Sequence, residues 1–184
     1  IAPIGSGEIR LDGTPIQGMS SAAMARAGIS YVPQGRGIFT RVSVGDNLIM
    51  GERVGSDGAA NRQRVFQFFP ILEERLSQKA GSLSGGEQQQ LAFGRILAGR
   101  PELILLDEPS EGIQPNIVQE IGRIIQRLRY DEGLTVVIVE QNLELIHAVA
   151  DRCIVMDKGK IIAELTSEEI KDPEIAKRYL AIAT

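Results

Sequence analysis

The stretch that decides the fold is Leu103-Ile104-Leu105-Leu106-Asp107-Glu108-Pro109, in which four aliphatic residues are followed at once by two acids and a proline. A short, continuous apolar run is typical of a strand that is buried on both faces. Two adjacent carboxylates at the exit of such a strand repel one another, which costs stability unless a cation or a proton uses them. The run therefore predicts a buried strand that delivers functional acids to its carboxyl end.

Three more apolar runs are predicted to be buried strands: Ile29–Val32, Thr135–Val139 and Ile154–Met156. Pro115–Tyr130 begins with a proline and carries one apolar stripe, which predicts an amphipathic helix. The stripe consists of Ile117, Ile121, Ile124, Ile125 and Leu128. This strand, helix, strand order predicts a parallel sheet with right-handed crossovers, whose ligands bind beyond the carboxyl ends of the strands.

Polar residues follow the other strand runs as well. Pro33-Gln34 comes after Ile29–Val32, and Glu140-Gln141-Asn142 comes after Thr135–Val139. Carboxylate and amide oxygens gathered at one rim suit Mg²⁺, which is usually shared with substrate phosphates. For any single strand, polar residues that merely mark the meeting with solvent are the simpler explanation. For Asp107-Glu108 we favour a functional role.

The segment 45–99 contains no strand-like run and several helical patterns, so it is predicted to be a helical insert. Its middle, Gly51–Asn61, is rich in Gly, Ser and Asp and is predicted to be a mobile loop. Ser84 and Glu87 have the spacing of a capping box at the start of a helix that ends near Ala98. Gly85-Gly86 also exposes backbone N–H groups there, which together with the helix dipole make an anion site.

Composition restricts the classes of partner. The 184 residues hold 24 acidic and 20 basic side chains, a net charge of −4, so nothing favours binding to nucleic acid. The single cysteine, Cys153, excludes an internal disulfide and favours a reducing compartment. The single histidine, His147, excludes a multi-histidine metal site. No apolar run approaches the roughly 18 residues that span a bilayer. Attachment to a membrane would therefore need a partner.

The two ends of the chain carry weaker signals. The chain opens on Ile1 and soon reaches a strand pattern at Glu8–Leu11 with a turn at Asp12-Gly13, so we expect a piece that starts within a domain. The tail is predicted to form two small helices separated at Asp172-Pro173.

The order of Gln34, Leu83–Gln88 and Leu103–Pro109 resembles the nucleotide-binding subunit of an ABC transporter, over essentially the whole chain. The resemblance implies an α/β, P-loop NTPase-like fold with a parallel sheet core and an inserted α-helical subdomain, here truncated at the N-terminal side. The implied layout is a core of residues 1–44 and 100–165, a helical subdomain of residues 45–99, and C-terminal helices in residues 166–184.

The resemblance also implies roles in binding and hydrolysing ATP with Mg²⁺. Gln34 would link Mg²⁺ and water to the transmembrane partner, and Asp107 would hold Mg²⁺ through water. Glu108 would be the general base that polarises the attacking water. Gln141 stands where most members have a histidine, so it can donate a hydrogen bond to a phosphate oxygen but carries no positive charge.

A signature motif is implied to reach the γ-phosphate of ATP held by the opposite subunit, which requires a head-to-tail dimer of identical or paralogous ATPase subunits. The signature residues are Ser84, Gly85, Gly86, Glu87 and Gln88. The segment Gly35–Asn47, with Ile38 and Phe39, would contact the permease, and a solute-binding protein would act indirectly. The implied location is cytoplasmic, on the inner face of the cell membrane.

Three stretches are similar to the ATPase subunits of branched-chain amino acid and urea importers: Tyr31–Phe39, Glu108–Pro115 and Val139–Asn142. Gln141, and Gln114 in place of an aspartate, are habitual in that group. The alternatives are an ABC-type ATPase without a transport role and an α/β binding module of another kind.

The loop GxxxxGK[ST], whose amides and lysine hold phosphates in this family, does not occur in the 184 residues. We therefore expect these residues alone to be a fragment that does not hydrolyse ATP. The strand of the upstream segment is expected beside the run that ends at Asp107. Without that segment, we expect an uncovered apolar sheet face and exposed strand edges.

Overall fold

The computed structural model describes residues 5–52 and 57–180. The described chain begins with a small hairpin of β1 (Arg10–Leu11) and β2 (Thr14–Pro15) around the predicted turn. Asp12 and Gly13 have φ values of 46° and 79°, the left-handed conformation that tight hairpin turns require. Helix α1 (Ser21–Arg26) then leads to the first long strand, and the side chain of Ser20 caps it by accepting from the Ala23 amide.

The predicted parallel sheet is confirmed in strands β3 (Ile29–Val32), β4 (Leu103–Asp107) and β5 (Thr135–Val139), in the order β3-β4-β5. Helix α6 (Pro115–Tyr130) connects β4 to β5 as expected. Leu106 pairs with Val32 on one side and with Ile138 on the other. Both edges of β4 are thus used, so the expectation that an upstream strand lies beside Leu103–Asp107 is wrong.

The insert is helical in the described residues. It contains α2 (Val44–Glu52), α3 (Gly58–Phe68), α4 (Pro70–Glu74), a 3₁₀ turn (Ala80–Ser82) and α5 (Gly85–Leu97). The loop predicted over Gly51–Asn61 is too long at both ends, because α2 runs through Glu52 and α3 begins at Gly58. Residues 53–56 of that loop lie outside the described residues. Helix α5 begins at Gly85 with the predicted capping box.

One face of the sheet packs against α5 and α6. Ile104 and Leu106 of β4 are 0% and 2% exposed, and Ile121 of α6 is 1% exposed. Helix α2 crosses α5 so closely that a Cβ at Gly51 would overlap the carbonyl oxygen of Arg95. The helical layer and the sheet therefore share a single core.

The other face of the sheet is uncovered by the described residues. Tyr31, Val137 and Val139 on that face are 52%, 50% and 59% exposed. The prediction that these strands are buried on both faces is wrong, because every second residue of β5 lacks a covering element. The expected uncovered apolar face is confirmed for residues 5–52 and 57–180.

The fourth apolar run is a strand, but not one of the parallel sheet. β6 (Arg152–Asp157) pairs antiparallel with β7 (Lys160–Thr166), and Ile154 and Met156 are 46% and 62% exposed. The prediction of burial on both faces is therefore wrong here too. The reason is local, because left-handed residues Lys158 and Gly159 turn the chain straight back and supply β7 as the partner.

A second, smaller core lies between this hairpin and the remaining helices, which are α7 (Leu143–Val149), α8 (Ser167–Lys171) and α9 (Pro173–Leu180). The predicted break at Asp172-Pro173 separates α8 from α9. Within the described residues, every helix is too short or too polar to cross a membrane.

Two neighbouring valines test the one-sided burial of the sheet. Val137→Thr is expected to change the free energy of unfolding by less than about 0.5 kcal/mol, because Val137 is half exposed. Val136→Thr is expected to cost about 1 kcal/mol, because Val136 packs against the core and its replacement buries a hydroxyl. Urea denaturation measures both, and light scattering should show less aggregation for Val137→Thr. Equal losses for the two variants would contradict a one-sided sheet.

Candidate functional site

The site begins where β4 ends. The Glu108 N–H donates to the Val139 carbonyl at 2.9 Å, which adds one more rung to the pairing of β4 with β5. Glu108 then takes a φ of 43°, a left-handed conformation that is costly for a residue with a Cβ. Backbone strain of this kind clusters at functional sites, where the surrounding structure holds it in place. The chain leaves the sheet sharply here, and the acid stays at the rim.

Two amides hold the Glu108 carboxylate. Gln34 Nε2 donates to Oε2 at 3.3 Å, and Gln141 Nε2 donates to Oε1 at 2.8 Å. Three residues predicted to carry function, each at the end of a different parallel strand, therefore meet at one carboxylate. The strand-end argument placed them together, and the structure brings them within hydrogen-bond distance.

Glu111 joins this group although sequence reasoning did not select it as a site residue. Gln34 Nε2 also donates to Glu111 Oε2 at 2.7 Å, so one amide serves two carboxylates. The signal in the sequence that could have identified Glu111 was its spacing of three residues from Glu108. The Glu111 N–H donates to the Glu108 carbonyl at 3.1 Å, in a turn that brings residues three apart close together.

Asp107 has a partner that sequence reasoning missed. The Tyr31 hydroxyl donates to Asp107 Oδ2 at 2.9 Å. The β3–β4 register pairs Tyr31 with Leu105, so Asp107 is its diagonal neighbour on the same face and within reach of a long side chain. The hydrogen bond to Asp107, followed by partial burial and the negative charge of Asp107, raises the pKa of Tyr31.

The Glu140 carboxylate is hydrogen-bonded to backbone N–H groups. Its carboxylate accepts from the amides of Ser110 at 3.2 Å, Gln141 at 2.8 Å and Asn142 at 2.9 Å. It thereby ties the turn after β4 to the turn after β5. This fourth rim carboxylate thus fixes the backbone at Gln141.

The oxygen donors at the rim fit a Mg²⁺ ion that is shared with water and substrate phosphates. Among residues 5–52 and 57–180, no three His, Cys, Asp or Glu side chains are grouped to hold a metal ion by themselves. Asp107 offers carboxylate oxygens, and Gln34 offers Oε1, since its Nε2 is used by Glu108 and Glu111. Mg²⁺ commonly takes one or two protein oxygens and completes its shell with water and substrate phosphates. The donor set suits that arrangement and not an all-protein cage.

The start of α5 is a true capping box. Ser84 Oγ accepts from the Glu87 amide at 3.3 Å, and Glu87 Oε2 accepts from the Ser84 amide at 2.8 Å. The hydrogen bond from the Ser84 backbone, with smaller contributions from its side chain and from Arg75 at 3.2 Å, lowers the pKa of Glu87 despite partial burial. The Glu87 carboxylate is therefore used within the cap, and the backbone amides near Gly85-Gly86 are the groups left for an anion.

The turn after Gln34 is fastened to α5. Arg36 Nη1 donates to Gln88 Oε1 at 2.8 Å, and Arg95 Nη1 donates to the Gly37 carbonyl at 2.8 Å. Gly37 has a φ of 61°, and a Cβ there would lie 2.7 Å from Pro33 Cγ, so the turn needs glycine. Across the described residues, no hydrogen bond runs directly from Ser84–Gln88 to Asp107 or Glu108. The strand-end residues meet, and the signature residues stay apart from them.

Comparison with known proteins decides the family. A sequence model described as "ABC transporter" matches residues 2–111. The chain belongs to the ABC transporter family. It is 43% identical over 178 residues to the high-affinity branched-chain amino acid transport ATP-binding protein BraG of Pseudomonas aeruginosa, covering 95% of this chain and 76% of that protein. It is 40% identical over 183 residues to the lipopolysaccharide export system ATP-binding protein LptB of Escherichia coli, covering 97% and 75%.

The fold class predicted from the sequence is confirmed by a solved structure. The ADP conformation of MJ1267, an ATP-binding cassette of an ABC transporter, superposes with a TM-score of 0.81 at 26% identity, covering 98% of this chain and 78% of that one. The resemblance drawn from Gln34, the signature residues and the strand-end acids is therefore confirmed at the level of the family.

The contact between Tyr31 and Asp107 predicts a titration. The pKa of Tyr31 is expected above its ordinary value of 10, and Asp107→Asn should lower it towards that value. Absorbance at high pH, compared with Tyr31→Phe to isolate this tyrosine, measures the pKa. The pKa of Tyr31 is higher in the folded state than in the unfolded state. The stabilisation of the fold by the Tyr31–Asp107 hydrogen bond is therefore complete below the unfolded-state pKa of Tyr31 and is lost as pH rises through its folded-state pKa. An unchanged pKa in Asp107→Asn would show that the hydrogen bond does not form in solution.

Proposed function

We propose that this chain is the ATP-binding and ATP-hydrolysing subunit of an importer for branched-chain amino acids. The observation that carries the proposal is the Glu108 carboxylate, which is held by Gln34 and Gln141 at the rim where three parallel strands end. A base that must accept a proton from an attacking water needs a fixed carboxylate at a defined place. Phosphoryl transfer depends mainly on such positioning and on neutralising charge.

Each rim residue has a distinct part in this proposal. Glu108 accepts the proton of the water at a carboxylate oxygen, while Gln34 and Gln141 fix the orientation of that carboxylate. Asp107 and the Gln34 Oε1 would hold Mg²⁺, which would supply positive charge near the phosphates. Gln141 provides a neutral hydrogen bond where a histidine could provide a charged one, so it stabilises negative charge less.

The proposed solute is supported by the relatives' names. Besides BraG, a probable branched-chain amino acid transport ATP-binding protein of Archaeoglobus fulgidus is 31% identical over 176 residues. These names favour branched-chain amino acids over urea and favour a transport role over an ATPase without one. Lipopolysaccharide export is the second candidate, because LptB is 40% identical.

Substitution of Glu108 tests the catalytic assignment. The assay uses an extended polypeptide, in which a segment carrying GxxxxGK[ST] is joined before Ile1, because the 184 residues lack that loop. We expect no Mg²⁺-dependent ATP turnover or calorimetric ATP binding from the 184 residues alone, and both from the extended polypeptide. Glu108→Gln should lower turnover by about 100-fold or more while ATP still binds, because a carboxamide accepts no proton.

Glu144→Gln is the matched control, since Glu144 is exposed and bonds Gln119 away from the rim. Turnover that survives in Glu108→Gln would remove Glu108 from the role of base. ATP turnover by the 184 residues alone would show that the missing loop is not needed.

The position of the signature residues supports a dimer. Ser84 and Gly85 are exposed and make no hydrogen bond to the rim acids of their own subunit. We propose that they face the nucleotide of a second ATPase subunit, identical or paralogous, in a head-to-tail pair. The backbone amides at the start of α5 then meet a phosphate, as helix N-termini favour.

Ser84→Arg tests this dimer, because a long cation would obstruct the neighbour's phosphate site. We expect the extended Glu108→Gln polypeptide to dimerise with ATP in light scattering and the added Ser84→Arg change to abolish this. Ser20→Arg is the control, since Ser20 caps α1 in the same way and both changes lose a cap. If the two variants dimerise equally, the signature residues do not face a second nucleotide.

Contact with a permease is proposed at Gly35–Asn47. The buried Asn47 side chain bonds the Phe39 N–H at 2.8 Å and the Phe39 carbonyl at 3.0 Å. This holds the Phe39 ring 46% exposed, with the Arg95 guanidinium 5.2 Å from its centre. Val42 and Met50 are exposed apolar side chains nearby in sequence. Attachment here would place the chain on the inner face of the membrane, with a solute-binding protein acting through the permease.

Phe39→Asp is expected to weaken co-purification with the permease at least about tenfold, because a charge replaces a central apolar contact. Ile161→Asp on β7 is the control, since Ile161 is 66% exposed and lies outside this segment. Permease subunits of the branched-chain amino acid and lipopolysaccharide systems are tested in parallel to separate the two candidate functions. Retention of Phe39→Asp at the wild-type level would place the contact elsewhere.

A further inference from the structure

Gln89 is a buried polar residue that the proposed function does not yet use. It lies on α5 directly after the signature residues and is 2% exposed. Its Nε2 has no hydrogen-bond partner within the described part of the chain. The preceding Gln88 differs, because it bonds both Arg36 and the Leu83 carbonyl. A buried, unpaired amide is costly, so native structures supply a partner in almost every case.

The polar space that borders Gln89 is a small cavity of about 50 Å³. Its other polar lining comes from Glu108, Glu111 and Arg36, and Pro33 and Pro109 are among its walls. A space of this size holds a water molecule, and a buried water needs two to four polar partners. An amide donor and two carboxylate acceptors meet that requirement.

We propose that Gln89 is a positioning residue for Glu108 and Glu111, acting through a water held in this cavity. The water accepts from Gln89 Nε2 and donates to the two carboxylates. Gln34 already donates to both acids from β3, so the water supports them from α5. The helix that presents the signature residues is thereby connected to the carboxylate that acts as base.

The consequence for catalysis rests on the proposed function. A shift of α5 against the sheet would move the water and release the pair of carboxylates. The bridge makes the orientation of Glu108 depend on the position of the signature helix, although no direct hydrogen bond joins them. Binding of nucleotide does not need the bridge, so loss of Gln89 should affect turnover and not affinity.

Gln89→Met tests the bridge, because methionine keeps the unbranched shape and removes the amide. Gln90→Met is the control, since Gln90 is half-buried on the same helix and does not line the cavity. If the water bridge exists, Gln89→Met should lower Tm of the 184 residues by about 3 °C, because the water and the carboxylates lose a partner. A rise in Tm would show that the amide is unpaired and would overturn the proposal.

Two further readouts separate a positioning role from a merely structural one. A crystal structure should show an ordered water within hydrogen-bond distance of the Gln89 amide and a carboxylate oxygen. In the extended polypeptide, Gln89→Met should lower kcat about tenfold with KM for ATP unchanged, while Gln90→Met changes neither. An unchanged kcat, or a dry cavity, would overturn the proposal.

Gln89→Glu provides a second variant of the same shape. It introduces a third carboxylate beside Glu108 and Glu111, so both Tm and kcat should fall further than in Gln89→Met; wild-type values for it would also overturn the proposal. The stability and crystal readouts need no ATP. An extended polypeptide that never hydrolyses ATP would therefore count against the proposed function, while these readouts still decide whether the bridge exists.

Discussion

The parallel register of β3, β4 and β5 is the constraint on which the rest of the structure depends. It pairs Leu106 with Val32 and with Ile138, so all three strands end at one rim. A slip of one residue would exchange the two faces of a strand and move its polar end residue away from the others. The core on one face of the sheet fixes that register, because Ile104 and Leu106 fit only when they point towards α5 and α6.

The rim gathers acids, and the structure compensates them mainly with neutral donors. Glu108 and Glu111 accept from side-chain amides, Asp107 accepts from a hydroxyl, and Glu140 accepts from three backbone N–H groups. Neutral donors fix the carboxylates in place without cancelling their charge. Within the described residues no arginine or lysine forms an ion pair with these four acids, so their charge remains available for the Mg²⁺ that the proposed function requires.

Helix α5 connects this rim to the helical insert. Its first turn holds the capping box, its next residues contact the turn after Gln34 through Arg36, and Leu91 lies fully in the core. The hydrogen bond between Arg36 and Gln88 thereby joins the start of α5 to the turn after β3. The same layout keeps Ser84 and Gly85 exposed, while Gln89 is buried and lines the same small cavity as Glu108.

The sequence by itself determined the strands, the capped helices and the meeting of Gln34, Glu108 and Gln141, because apolar runs, caps and strand ends are local patterns whose geometry is nearly fixed. Only the tertiary structure decided that Ile154–Met156 lies outside the parallel sheet and that Leu103–Asp107 is paired on both edges, because strand pairing depends on distant elements. It alone brought Tyr31 to Asp107 and placed Gln89 on the cavity that Glu108 and Glu111 also line, since these side chains come from separate parts of the chain.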